Sequence, residues 1–441
     1  MIHLAPPSRA CGHAGSSVSS LVGELSGFFL GSSPCRPSAS SARRRFLLST
    51  SSSTSSHRAF HSTPSRDSSA PSRISYRVAA SSSGKGRPFV PAKNAYNFFP
   101  DRQDALGVAP DVTDPALRRK RRPDSGEDAF FVSRVGHTPE KQGAVAFAVA
   151  DGVGGWSESR VDPADFSHAL CNYMAESALE WDAPVEQLRA KQLLQAGYDR
   201  VVADKTVRAG GSTASVGVGL EDGRVELANL GDSGSVLLRL AAVHHYSAPQ
   251  THGFNTPYQL SIIPPRMRAQ ASIFGGAFLE DFPRDAAVTS LQMQHGDVLM
   301  LATDGVYDNL NNQDILKLVT SRMVLTGAWD ATPEMGIRPS DQLDQLTGPV
   351  GLSSLLPAGA PSPMGDQPYT LQSFLASSIA GEAKLASVDI RRDGPFAKEA
   401  QRYYPGDYYR GGKIDDICVI AIVAVDESLT GPKAGGRESR L

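Results

Sequence analysis

The 441-residue sequence has only four cysteines, Cys11, Cys35, Cys171 and Cys418, and none of their spacings is that of a metal clip or a disulfide framework. That scarcity excludes a disulfide-stapled module and a zinc ribbon. Long hydrophobic runs are also missing. The best candidate, around residues 21–30, falls short of the ~20 residues a membrane helix needs and carries Glu24, so no integral membrane segment is expected. There is no basic excess either. The formal net charge is −2, which argues against nucleic acid as a partner, because such binding rests on neutralising phosphates. The chain also lacks a Gly-x-Ser-x-Gly elbow, a Walker loop and a His-Glu-x-x-His motif. What remains, 40% hydrophobic and 20% charged residues, suits a globular chain with a sizeable core.

Acidic residues are nearly absent from the first 66 positions. That stretch has seven arginines, no lysine, one glutamate and 22 Ser or Thr. Arg-rich, Ser-rich and acid-poor is the profile of a transit peptide, although an untargeted disordered tail has a similar composition. Without residues 1–66 the net charge is −8, so the body is acidic. Residues 67–117 read as a linker, 118–428 as the folded domain and 429–441 as a disordered tail. Residues 326–368 hold seven Pro and six Gly without periodicity, and read as a flexible insertion. A basic run, Arg118-Arg119-Lys120-Arg121-Arg122, reads as a solvated charge run, with a nuclear-localisation patch as the alternative.

Apolar runs ended by turn residues predict strands at 144–150, 214–220, 224–230, 236–240, 298–302 and 418–425. Helical spacing is present at 163–181, 185–204, 312–322 and 371–388. Strands adjacent in sequence, with helices between the groups, imply an α+β fold of sheets covered by helices.

One pattern recurs. An apolar strand runs into Asp at Ala150-Asp151-Gly152, Leu230-Gly231-Asp232 and Thr303-Asp304-Gly305; acid precedes a strand at Glu127-Asp128 and Asp415-Asp416. In an antiparallel sheet, strand ends and strand starts share an edge, so these carboxylates can converge on one rim. Clustered like charges repel, and an oxygen-rich cluster calls for a hard divalent cation such as Mg²⁺ or Mn²⁺. Glycine beside each Asp lets backbone carbonyls approach closely.

The order Glu127-Asp128, Asp151-Gly152-Val153-Gly154-Gly155-Trp156, Gly211-Ser212-Thr213-Ala214, Gly231-Asp232-Ser233-Gly234, Asp304-Gly305-Val306-Tyr307-Asp308 and Asp415-Asp416 resembles that of the type-2C (PPM) metal-dependent Ser/Thr protein phosphatases. Gln250-Thr251-His252-Gly253-Phe254-Asn255 and Gly411-Gly412-Lys413-Ile414 are similar to that family's mitochondrial branch. The resemblance covers about residues 120–425 and implies a four-layer α/β/β/α sandwich of two mainly antiparallel sheets. By position, it implies that Asp151 bridges two Mg²⁺ or Mn²⁺ ions, with the Gly152 carbonyl as a further ligand. Asp304 and Asp415 would complete one shell and Glu127 the other; Asp232 and Asp308, with Asp304, would hold a weaker third ion.

The implied reaction is direct attack of metal-activated water on phosphoserine or phosphothreonine, without a phosphoenzyme. The implied setting is the mitochondrial matrix, with phosphorylated mitochondrial proteins as partners, coenzyme Q biosynthesis factors among them. Thr213 is a candidate catalytic group, or a strand-start hydroxyl that ties down a turn. Two positions depart from the family. Val153 stands where many members carry a His proposed as general acid, which leaves a binding-scaffold pseudophosphatase as the alternative function. Pro123 stands where the phosphate-holding Arg is usual, so neighbouring Arg122 is the candidate substitute.

Overall fold

The computed structural model describes residues 73–136, 143–273, 278–332, 336–406 and 408–430. The expected transit segment, and the tail from residue 431, lie outside them. Twelve strands build two six-stranded sheets. In chain order they are β1 (Ile74–Ser83), β2 (Ala95–Phe98), β3 (Ala105–Leu106), β4 (Asp128–Arg134), β5 (Val145–Asp151), β6 (Ala214–Gly219), β7 (Arg224–Leu230), β8 (Gly234–Arg239), β9 (Ala242–Tyr246), β10 (Ala287–Gln292), β11 (Val298–Ala302) and β12 (Ile417–Asp426). One sheet runs β9-β8-β11-β12-β1-β2 and the other β10-β7-β6-β5-β4-β3. All pairings within them are antiparallel.

Alternation along the strands divides the core. Phe130, Val132, Phe147 and Val149 of one sheet pack against Ile420, Ile422, Leu299 and Leu301 of the other. Their sequence neighbours point outward to helices. Phe131, Ala146 and Ala148 pack with α1 (Pro163–Leu179) and α2 (Ala190–Ala203). Val419, Ala421 and Met300 pack with α3 (Asn312–Leu325) and α4 (Leu371–Ser387). A strand buried on both faces has no polar face, which is why β12 reads as an unbroken apolar run. The α+β fold and its four-layer sandwich are as expected. Two of the helices, α1 and α3, start on side-chain caps: Asp162 accepts from the Ala164 N–H before Pro163, and Asn311 and Asp314 form a reciprocal box.

Two expectations are corrected. Residues 67–117 are not a linker throughout: β1 lies inside a sheet, paired on both sides with β12 and β2. Its serines hid it, but Ile74, Tyr76, Val78 and Ala80 alternate inward, and Ser81 hydrogen-bonds the Asn94 carbonyl at 2.8 Å. Residues 326–332 and 336–368 are likewise packed rather than free. Trp329, Leu343, Leu346, Leu352 and Met364 are buried against the α3–α4 side of the core. A hairpin (Trp329–Thr332 with Gly336–Pro339) and the helix Leu343–Thr347 carry three of them, and elements that short cannot display a period.

Candidate metal centre

The strand order brings the predicted acids to one rim. Asp128 at the start of β4 pairs with Asp151 at the end of β5. β11 ends at Ala302, opposite Gly234 of β8 and Val419 of β12. That places Asp304, the Asp232 turn and Asp415-Asp416 beside each other. Carboxylate oxygens of Asp151, Asp232 and Asp304 lie within 4.8 Å of one another, as do those of Asp304, Asp308 and Asp415. Asp304 belongs to both groups.

Glu127 is fixed through its backbone. Its N–H donates to Asp416 Oδ2 at 2.8 Å. Its carbonyl accepts from the Gly152 N–H at 3.1 Å and from the Ser167 hydroxyl at 2.6 Å. Its carboxylate overlies Gly154, where a Cβ would come within 3.0 Å of Oε2. Gly126, at φ +70°, has no room for a Cβ because the Asp416 carboxylate fills that space. In the same way, the Asp416 carbonyl fills the space at Gly305. These two glycines let the rim close.

The cluster is electrostatically strained. Burial, and then the charges of Asp304, Asp128, Asp232 and Asp415, push the Asp151 carboxyl well above its usual range. Burial and Asp304 do the same to Asp308, and bring Asp232 up to about 7. Burial, Asp416 and Asp415 raise Glu127. Asp304 alone among these moves down: burial opposes its charge, but the charge and hydrogen bond of Lys413 win. Lys413 Nζ lies 2.7 Å from Asp304, 2.6 Å from Asp308 and 3.0 Å from Asp415. One ammonium cannot balance so many carboxylates. Buried Asp232 Oδ1 and Asp128 Oδ1 have no hydrogen-bond partner. Orphaned oxygens, an all-oxygen donor set and raised carboxyl pKa values together fit hard divalent cations.

Comparison with known proteins agrees with this chemistry. The family description "Protein phosphatase 2C" matches residues 120–336. The chain is 32% identical over 358 residues to the Saccharomyces cerevisiae protein phosphatase 2C homolog 7, mitochondrial, an alignment spanning 80% of this chain and 88% of that one. It is 37% identical over 303 residues to the Xenopus laevis protein phosphatase PTC7 homolog, spanning 68% and 82%. The chain belongs to the protein phosphatase 2C family. It is therefore a protein serine/threonine phosphatase. The X-ray structure of the photosystem II phosphatase PBCP is similar at TM-score 0.45 and 24% identity, covering 71% of this chain and 95% of that one.

Other residues of this phosphatase 2C chain sit less simply. The Thr213 hydroxyl accepts from the Asp151 N–H at 3.2 Å and lies 2.7 Å from the Ser233 hydroxyl, contacts that tie the end of β5 to the Asp232 turn. The Arg122 guanidinium binds Asp165 at 2.8 Å and Asp162 at 3.8 Å, around the start of α1. No contact of Arg122 with the carboxylate cluster occurs among the described residues. Val153 packs against Trp156, Ala209 and Ile263 and offers no proton. His252 is bound to Asp281 at 2.9 Å and stacked on Tyr258.

Sequence reasoning missed Lys413 as a member of the site. It placed Asp128 and Asp416 on the rim but gave them no role of their own: Asp128 is fully buried and takes a 2.7 Å hydrogen bond from Thr303, and Asp416 fastens Glu127 and Lys85 by their backbone N–H groups. The signal was present: a Lys two residues before an Asp expected to bind a cation is a competitor or a partner for that Asp.

The raised carboxyls fix the sign of a pH effect. A carboxyl whose pKa is higher folded than unfolded binds more protons in the native state, so stability falls as pH rises between the two values. With chelator present, the unfolding temperature is therefore expected to fall between the usual Asp range and about 7, the value for Asp232. With saturating Mn²⁺ the trend should reverse, because protons then compete with the ion. Differential scanning calorimetry in the two buffers reads both slopes.

Proposed function

We propose that this phosphatase is metal-dependent, using Mg²⁺ or Mn²⁺, and that it acts on phosphoserine and phosphothreonine of proteins in the mitochondrial matrix. The observation that carries the chemistry is the meeting of Asp151, Asp304, Asp415, Asp232 and Asp308 at one rim, with Glu127 fastened beside the Asp151–Gly152 turn. Asp151, Asp304 and Asp415 would hold one ion, and Glu127, Asp151 and the Gly152 carbonyl the second. Asp232 and Asp308, with Asp304, would take a weaker third. When bound, such ions supply Lewis-acid activation of water and screen the phosphoryl oxygens.

The protein's own groups do the rest. Thr213 and Ser212 hold the end of β5, Ser212 through a 2.8 Å bond to the Asp151 carbonyl. This fixes the Asp151 carboxylate. Lys413, charged throughout the neutral range because its three aspartates outweigh burial, orients a phosphoryl oxygen, the role expected of Arg122. No side chain at Val153 protonates the leaving alcohol, so solvent does so.

Support for the location comes from the mitochondrial name of the yeast relative and the acid-poor first 66 residues. Imaging of a tagged full-length chain tests it, and coenzyme Q biosynthesis factors are the first matrix substrates to try. The activity is tested by phosphopeptide hydrolysis under Mn²⁺ and Mg²⁺ titration. Turnover that rises with the ion and vanishes on chelation is expected. Ion binding without turnover would instead make the Val153 site a binding scaffold.

A further inference from the structure

The basic run found in the sequence is not accounted for by the metal centre. Its short helix, Pro115–Lys120, turns Arg118, Arg119, Arg121 and Arg122 toward α1, where they line a cavity of about 50 Å³ with Asp165, His168, Asn172, Asp204 and Thr206. At ~10–15 Å³ per water, that holds a few waters or one small oxyanion. None of the clustered metal-site carboxylates lines it. The arginines are matched by carboxylates, Arg118 by Asp204, Arg119 by Asp165, Arg121 by Asp111 and Arg122 by Asp162 and Asp165, so the wall is distinguished by its unpartnered polar atoms rather than by net charge.

Two polar atoms in the wall lack partners. Arg118 Nε is buried without an acceptor, and His168 Nε2 is buried without any hydrogen bond, His168 being 7% exposed. The other ring nitrogen of His168 is hydrogen-bonded to the Gly126 backbone, an interaction that favours a proton there. Burial and the Arg122 charge bring the imidazole down to about 3 and keep it neutral. Nε2 is therefore a lone pair seeking a donor, while Arg118 Nε in the same wall is a donor without an acceptor.

We propose that this cavity is a second anion site that binds the monohydrogen form of a phosphate group. Its charged oxygens accept from Arg118 and its neighbours, and its one hydroxyl donates to His168 Nε2. Sulfate, which carries no proton at neutral pH, matches the arginines but not the histidine. The wall also backs onto the metal centre, since Gly126 precedes Glu127 and Ser167 holds the Glu127 carbonyl.

The test uses the full-length chain in chelator at neutral pH, with inorganic phosphate titrated by calorimetry. One phosphate per chain is expected, with sulfate about tenfold weaker, the scale of one hydrogen bond to a charged group. Arg118→Met, which removes the guanidinium and keeps an unbranched apolar stem, should weaken phosphate about tenfold or more. His168→Phe should erase the preference over sulfate, and serves alone if the arginine variant does not fold. Glycerol phosphate separates the sources: binding that depends on Arg118 assigns the site to a phosphate carried on a larger molecule, and rejection of the ester assigns it to the free ion. Asp304→Asn should bind phosphate like the wild type, so a failure of the phosphatase reading leaves this result standing. No saturable phosphate binding, binding indifferent to both substitutions, or equal affinity for sulfate overturns the assignment.

Discussion

Asp151→Asn is expected to lower kcat/KM for a phosphopeptide by more than ~100-fold, and at the same time to raise the unfolding temperature of the metal-free protein. The two signs come from one cause. Outer partners of metal ligands typically cost ~10–100-fold when removed, and Asp151 is placed to be shared between ions, so its loss should exceed that range. In the metal-free fold the same carboxylate is a liability. It is half-buried among Asp304, Asp128, Asp232 and Asp415, and its carboxyl is pushed well above the usual range. An amide of the same shape removes that repulsion. Calorimetry in chelator and in saturating Mn²⁺, beside steady-state kinetics, reads both. A variant that loses activity and also loses metal-free stability would mean that Asp151 supports the fold rather than the ions.

That opposition between stability and activity explains which parts of the site were legible in the sequence. An apolar run ending in an Asp next to Gly breaks the local logic of a buried strand, and Asp151, Asp232 and Asp304 announced themselves by that break. β12 and β5 were legible for the complementary reason, as unbroken apolar strands between two layers. β1 was not, because Ser81-Ser82-Ser83 has the composition of a loop; its burial depends on β2 and β12 arriving on either side, which is a fact of topology. The 326–368 stretch failed likewise: Trp329, Leu343, Leu352 and Met364 are too far apart to form a pattern until they meet on one core. Arg122 was put forward on adjacency alone. It follows the basic helix, and Asp162 and Asp165 at the start of α1 claim its guanidinium. Spacing from Glu127 carries no information about that competition.

Lys413→Met should have the largest effect on the metal-free protein. The ammonium contacts three carboxylates at 2.6–3.0 Å with its side chain only 15% exposed. Removing one partner of a buried ionic cluster typically costs ~3–5 kcal/mol, because the remaining charges are left uncompensated. In chelator the variant should therefore melt well below the wild type. Acidification should recover part of the loss, since protons on Asp308 and Asp232 replace the missing charge. Mn²⁺ should stabilise the variant more than it stabilises the wild type, because an ion no longer competes with the ammonium for Asp304, Asp308 and Asp415. Stability and turnover should then part company. At saturating Mn²⁺ the unfolding temperature recovers, while kcat/KM stays down by about 100-fold, the scale of losing one preorganised charge aimed at the reacting group. If turnover recovered together with stability, Lys413 would be a counter-charge that the ions displace, and the phosphoryl oxygens would have to be oriented by the ions and backbone alone.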